Sequence, residues 1–177
     1  MEDSDVTKRV PIEELAERMY QSAIKYIKDS NLLSQSMESS SDSDALLSIL
    51  GFEILLKCAL LLINKQYSKG HDYEKLWAEI PEPVQCEILK NARSRMPGHT
   101  DLSDIKKLLA AYNNIFLNAR YSYEKYESLT RQQMQERESD WLNSGAKIKD
   151  ADWVYYPSEL FCLIYGLQSY IEQKLSI

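Results

Sequence analysis

Apolar residues recur at every third or fourth position along most of the chain, which is the spacing of one face of a helix. The first such stretch begins near Pro11 and the last begins at Pro157, and proline suits the first turn of a helix. Between them the spacing predicts helices over 44–66, 84–96 and 102–127, and a short helix carrying Leu76, Trp77 and Ile80. No strand-like alternation or internal repeat competes with this pattern, so the sequence predicts an all-α fold.

The stretch 44–66 is apolar around most of its circumference, so we expect it to be the centre of the fold. Its most hydrophobic part, 46–63, approaches the length needed to span a membrane. It contains Glu53 and Lys57, however, and charged groups are costly at the centre of a bilayer. A buried core helix is the better interpretation, and we expect no membrane association.

Turn and cap residues separate these helices. Gly70 is expected to end the second helix, and His71 and Asp72 offer a cap for the short helix that follows. Thr100 and Asp101 are the expected caps of the helix over 102–127.

The whole chain, 1–177, is long enough for one core that buries about 70% of the unfolded surface, so a single domain suffices. The polar stretch 128–152, with a break at Asn143, Ser144 and Gly145, leaves its helical content open. We expect it to be a flexible excursion from the bundle.

The formal net charge of -6 argues against a protein that coats nucleic acid through its overall field, although a local basic site is compatible with it. Cys58, Cys86 and Cys162 form an odd set that lacks the close spacing of a metal or redox motif. We interpret them as reduced packing residues of a cytoplasmic protein. The acidic start of the chain is unlike an export signal, and no metal or cofactor is expected.

Glu53 and Lys57 are four residues apart on the apolar helix, in the favourable order for an ion pair. One interpretation is a pair that snorkels at the edge of the core. The other is a polar pocket within the bundle.

The helix over 102–127 carries Asn113, Arg120, Glu124 and Glu127 on one flank of its apolar stripe. The guanidinium of Arg120 is a rigid fork of donors suited to phosphate or carboxylate, and Tyr123 is placed to pack beside it. The alternative is a simple Arg120–Glu124 pair on a solvated face.

His71 and His99 each follow a glycine and precede a predicted helix. Capping is the preferred interpretation for both, because neither has metal-ligand neighbours at the usual spacing. A catalytic role through residues distant in sequence is the alternative.

Three stretches together resemble the HEPN superfamily of helical domains associated with nucleotides and RNA. They are EILLKCAL at 53–60, GHDYEKLW at 70–77 and NIFLNARYSYE at 114–124. The resemblance implies a bundle of four to five main helices with short additional helices, and a homodimer in which two arginine helices face a shared cleft. In ribonuclease members a histidine follows the arginine after four to six residues, whereas this chain has Lys125, Tyr126 and Glu127 there.

Three functions follow. The first is a non-catalytic module, typical of defence or toxin–antitoxin settings, that binds a nucleotide, RNA or a protein partner. The second is a divergent metal-independent endoribonuclease in which Arg120 stabilises the transition state and Glu124, Tyr123 or His71 performs acid–base chemistry. The third is a structural, dimeric interaction protein. The residues expected to line the polar cleft are Glu53, Lys57, Asn113, Arg120, Tyr123 and Glu124.

Overall fold

The computed structural model describes residues 10–35, 43–118, 122–148, 151 and 153–177, and the regular structure within these ranges is entirely helical. The all-α prediction is therefore confirmed. In chain order the helices are α1 (Ile12–Ser34), α2 (Ser43–Asn64), α3 (Tyr73–Ala78), α4 (Glu82–Arg95), α5 (Ile105–Asn118), α6 (Ser122–Lys125), α7 (Arg131–Asn143) and α8 (Pro157–Leu175).

Helix α2 is the centre of the bundle, because α1, α3, α5 and α8 all contact it. Its buried residues lie on every side of the helix, as the nearly continuous apolar sequence requires. By length and composition α2 is the one helix in the described ranges that could cross a membrane, and 56% of its most apolar window is buried by the rest of the protein. That packing fits the core helix of a soluble bundle.

Hydrogen bonds tie α1 to the centre of the fold. The thiol of Cys58 on α2 donates to the carbonyl oxygen of Ala16 at 3.2 Å, and the Tyr20 hydroxyl donates to the carboxylate of Glu172 on α8. Cys58 and Cys162 are buried free thiols, as predicted for packing residues. Cys86 is exposed on α4, so its interpretation as a packing residue is wrong.

The end of α2 differs from the prediction. Helix α2 ends at Asn64, and Lys65 then adopts a left-handed backbone with φ of 57°. Gly70, with φ of 90°, belongs instead to the turn before α3. Helix α3 is capped by Asp72, whose carboxylate accepts from the backbone N–H of Lys75. His71 takes no part in the cap.

The predicted helix over 102–127 begins later than expected. Asp101 accepts hydrogen bonds from the backbone and hydroxyl of Ser103 in the preceding turn, so it is not available to the helix. Asp104 supplies the cap, because its carboxylate accepts from the backbone N–H of Lys107 at 3.0 Å. At the other end, α6 closes at Lys125 and a turn follows it, so the helix does not reach residue 127.

The polar stretch 128–152 contains a regular helix, α7. Thr130 and Gln133 form a capping box, in which the side-chain oxygen of each residue accepts a hydrogen bond from the backbone N–H of the other. None of the residues of α7 is buried. The start of this helix is therefore determined by its cap, because the helix buries no apolar face in the core.

Helices α4 and α8 approach each other closely at Gly166. A Cβ atom added there would lie 2.4 Å from the carbonyl oxygen of Ile88 and 3.1 Å from Cβ of Ala92. Backbone atoms cannot rotate away as the end of a side chain can, so only glycine fits at this crossing.

Replacing Gly166 with alanine is expected to destabilise the fold by about 2 kcal/mol despite the better helix propensity of alanine, because α4 and α8 must separate. Chemical denaturation followed by circular dichroism measures the change. Gln173→Ala, on the exposed side of α8, is the matched control and should stay within about 0.5 kcal/mol of the parent. Equal stability of Gly166→Ala and the parent would contradict this packing.

Burial raises the pKa of the Cys58 thiol to about 12. Because the folded pKa exceeds the ordinary value near 9, the neutral thiol stabilises the fold fully below pH 9, and this contribution is lost as pH rises towards 12. As pH rises through this window, the free energy of unfolding of the parent should therefore fall more steeply than that of Cys58→Ala. The two slopes should differ by up to about 1.4 kcal/mol per pH unit. Cys86→Ala removes an exposed thiol and should keep the parent's slope.

Candidate functional site

A buried carboxylate on α2 organises the polar residues of the bundle. Glu53 is 3% exposed, and its oxygens receive three side-chain donors. Nζ of Lys57 lies 2.8 Å from Oε1, Nδ1 of His71 lies 2.9 Å from Oε1, and the Tyr73 hydroxyl lies 2.9 Å from Oε2. An unpaired buried carboxylate would be strongly destabilising, so these donors are what permits its position. We call Glu53, Lys57, His71 and Tyr73 the Glu53 cluster.

Two elements supply the donors. Lys57 lies one turn after Glu53 on α2, where residues four apart share a face. His71 and Tyr73 flank Asp72, and the cap made by Asp72 fixes the start of α3 and with it the direction of both neighbours. The short turn before α3 thus brings two side chains to one carboxylate.

Two contacts fix the orientation of the His71 ring. An ionised carboxylate only accepts hydrogen bonds, so Nδ1 carries a hydrogen and donates to Glu53. The ring also packs against Phe116 of α5, with centroids 5.5 Å apart. Its side chain is 55% exposed, and Nε2 makes no hydrogen bond to any residue that the structure describes. Such a nitrogen can accept a proton or hydrogen-bond to a ligand.

The other predicted cleft residues lie in different settings. Asn113 is half-buried on α5, and its buried Oδ1 has no hydrogen-bond partner within the described ranges. Tyr123 and Glu124 are exposed on α6, Tyr123 with 66% of its surface. Arg120 lies outside the described residues.

Two members of the Glu53 cluster were not expected to line the cleft, although His71 was named as an alternative acid–base residue. His71 was interpreted as a cap, but Asp72 makes the cap and His71 binds Glu53. Tyr73 was not singled out in the sequence, and it is buried in the core with its hydroxyl on the same carboxylate. The signal that points to them is Glu53 itself, since a carboxylate inside an apolar helix needs more donors than one lysine provides.

No group of three or more histidine, cysteine, aspartate or glutamate side chains is placed to hold a metal ion in the described part of the chain. The Glu53 cluster contributes one carboxylate and one imidazole, and that carboxylate already accepts hydrogen bonds from three donors. Its geometry therefore suits hydrogen bonding and proton transfer.

Comparisons of the chain with protein-family models, with curated protein sequences and with solved structures found no match.

Replacing Lys57 with methionine is expected to destabilise the protein by about 3 kcal/mol, because the Glu53 carboxylate stays buried without its cationic partner. Denaturant unfolding measures this effect. Lys90→Met on α4 is the control, since Lys90 is exposed and its loss should cost less than about 0.5 kcal/mol. A Lys57→Met variant as stable as the Lys90→Met control would mean that the ion pair is not needed to bury Glu53.

Proposed function

We propose that this protein is a non-catalytic HEPN-like module that binds the phosphate groups of RNA or of a nucleotide at the Glu53 cluster. One observation carries the proposal. Glu53 holds His71 through Nδ1, and Nε2 is left on a half-exposed ring beside Phe116, where it donates to a phosphate oxygen when the ring is in its imidazolium form. A polar atom that is held in place before the ligand arrives loses little freedom on binding.

The charges of the cluster support an anionic ligand. Lys57 balances the charge of Glu53, so a phosphate approaching His71 does not meet an uncompensated carboxylate. Arg120 is the further cation that the sequence assigns to this cleft, and its fork of donors matches a phosphate. With a net charge of -6, attraction to RNA must come from such local groups and not from the whole surface.

A second candidate, a metal-independent endoribonuclease, is favoured by the same histidine. A carboxylate that accepts from Nδ1 fixes the tautomer whose Nε2 can act as a base, which is the arrangement used in acid–base catalysis. In that case Nε2 of His71 would remove the proton of a ribose 2′-hydroxyl as its oxygen attacks the adjacent phosphorus. The bond from phosphorus to the 5′-oxygen of the next nucleotide would break, that oxygen would leave as a hydroxyl with a proton from water, and a 2′,3′-cyclic phosphate would remain. Arg120 would stabilise the charge that develops on the phosphate oxygens.

The setting is part of the proposal. The resemblance to HEPN domains implies a homodimer and a place in prokaryotic defence or toxin–antitoxin systems, with a protein partner as the alternative ligand. The free thiols of Cys58, Cys86 and Cys162 fit a reducing, cytoplasmic location. Light scattering tests the dimer directly.

The decisive experiment measures binding and cleavage of a fluorescent oligouridylate in chelator, without added metal. We expect the parent protein to bind it, and His71→Ala and Arg120→Ala to bind about tenfold more weakly, a loss of about 1.4 kcal/mol each. Arg120→Ala should also lower the slope of log affinity against log salt concentration by about one, as the loss of one phosphate contact does.

His99→Ala is the matched control, because His99 is the second histidine of the chain and is exposed in a turn. It should bind as the parent does. Cleavage by the parent that disappears in His71→Ala and returns with added imidazole would establish the ribonuclease instead. If the folded parent does not bind the oligouridylate, the phosphate proposal is wrong and the structural or protein-binding alternatives remain.

A further inference from the structure

A second pocket, of about 330 Å³, shares no lining residue with the Glu53 cluster. This volume is at the lower end of the range for pockets that bind small molecules. The residues that give it its chemistry are Tyr126, Met134, Arg137, Glu138, Trp141 and Trp153. We call it the tryptophan pocket.

Helix α7 builds one wall of the tryptophan pocket. Arg137 and Glu138 follow Met134 by three and four residues, and Trp141 follows them by four and three, so all four lie on one face of the helix. No residue of α7 is buried, which means that this face does not serve the hydrophobic core. Nε1 of Trp141 donates to the carbonyl oxygen of Lys147 at 3.0 Å, and this bond fixes the ring and uses its only donor. What Trp141 can offer a ligand is its π-face.

Three aromatic side chains, those of Tyr126, Trp141 and Trp153, line this one pocket, and each is half-buried. Ring faces of this kind stack on planar heterocycles, and nucleobases are the common biological example. An aromatic lining by itself accepts any base, because every base has a π-face.

Glu138 restricts the choice of base. Its carboxylate has no hydrogen bond or ion pair to the residues that the structure describes, and it can only accept. Two carboxylate oxygens match two neighbouring N–H donors on one ring edge. Guanine presents such a pair in N1–H and the N2 amino group, whereas adenine, cytosine and uracil place an acceptor next to each donor. Arg137, beside Glu138, adds a cation that suits a phosphate and disfavours a cationic ligand.

We propose that the tryptophan pocket binds guanine, with the base stacked on the tryptophan rings, its N1–H and N2 amino group donating to Glu138, and its phosphate next to Arg137. The source of the guanine is either a free guanosine nucleotide or an unpaired guanine in RNA. This site is separate from the Glu53 cluster, and the oligouridylate used for that cluster contains no guanine.

Isothermal titration calorimetry with guanosine monophosphate and adenosine monophosphate tests the proposal. We expect the guanine nucleotide to bind at least tenfold more tightly than the adenine nucleotide. Glu138→Gln should remove this preference, since an amide presents one acceptor and one donor. Trp141→Ala should remove the tighter binding of the guanine nucleotide, so that both nucleotides keep only whatever affinity the Glu53 cluster has for their phosphate. Glu136→Gln, an exposed carboxylate on α7 that does not line the pocket, is the matched control and should bind as the parent does.

A second titration, with a short single-stranded RNA that contains one guanine, distinguishes the two sources of guanine. Tighter binding of this RNA than of the mononucleotide, lost in Glu138→Gln, assigns the pocket to RNA. The reverse order assigns it to the free nucleotide.

Three results would overturn the proposal. The first is equal affinity for the two nucleotides, and the second is an unchanged preference for guanine in folded Glu138→Gln. The third is binding of tetramethylammonium in place of either nucleotide, because that would make the pocket an aromatic site for cations. Light scattering adds a fourth, because a dimer that becomes monomeric in Trp141→Ala would show that a second copy of the chain covers this face.

Discussion

The bundle depends on keeping one carboxylate inside an apolar helix. Glu53 is almost fully buried, and burying a charge is tolerated only when it is paired and hydrogen-bonded. The donors come from α2 itself, from the turn that leads into α3 and from the first residue of α3. The positions of this turn and of α3 against the central helix are therefore set by a polar requirement as well as by the buried side chains of Leu76 and Trp77.

Much of the fold could be predicted from the sequence because periodicity marks helices that bury one face. Helix α1 begins directly after Pro11 and α8 begins at Pro157, so proline marks both starts in the sequence. The central place of α2 can be predicted from its apolar circumference. Boundaries were less predictable. Lys65 ends α2 in a left-handed conformation that lysine adopts rarely, and the choice between Asp101 and Asp104 as a cap depends on which one a neighbouring serine occupies.

The candidate site was predicted in part. Helical spacing is enough to pair Glu53 with Lys57, because the two lie on the same helix. It could not bring His71 to the same carboxylate, since that contact depends on how the chain turns between α2 and α3. Helix α7 was missed for a different reason. Its polar residues give no periodic signal, although the Thr130–Gln133 spacing of a capping box is visible in the sequence.

The Glu53 network also bears on the order in which the chain can fold. His71 and Tyr73 are only 18 and 20 residues from Glu53 along the sequence, so closing this loop restricts little chain entropy. The Tyr20–Glu172 contact between α1 and α8 joins residues 152 positions apart and must wait until α8 has been synthesised. We therefore expect the polar centre to assemble around α2 before α8 is available, so that the carboxylate gains its donors early in folding.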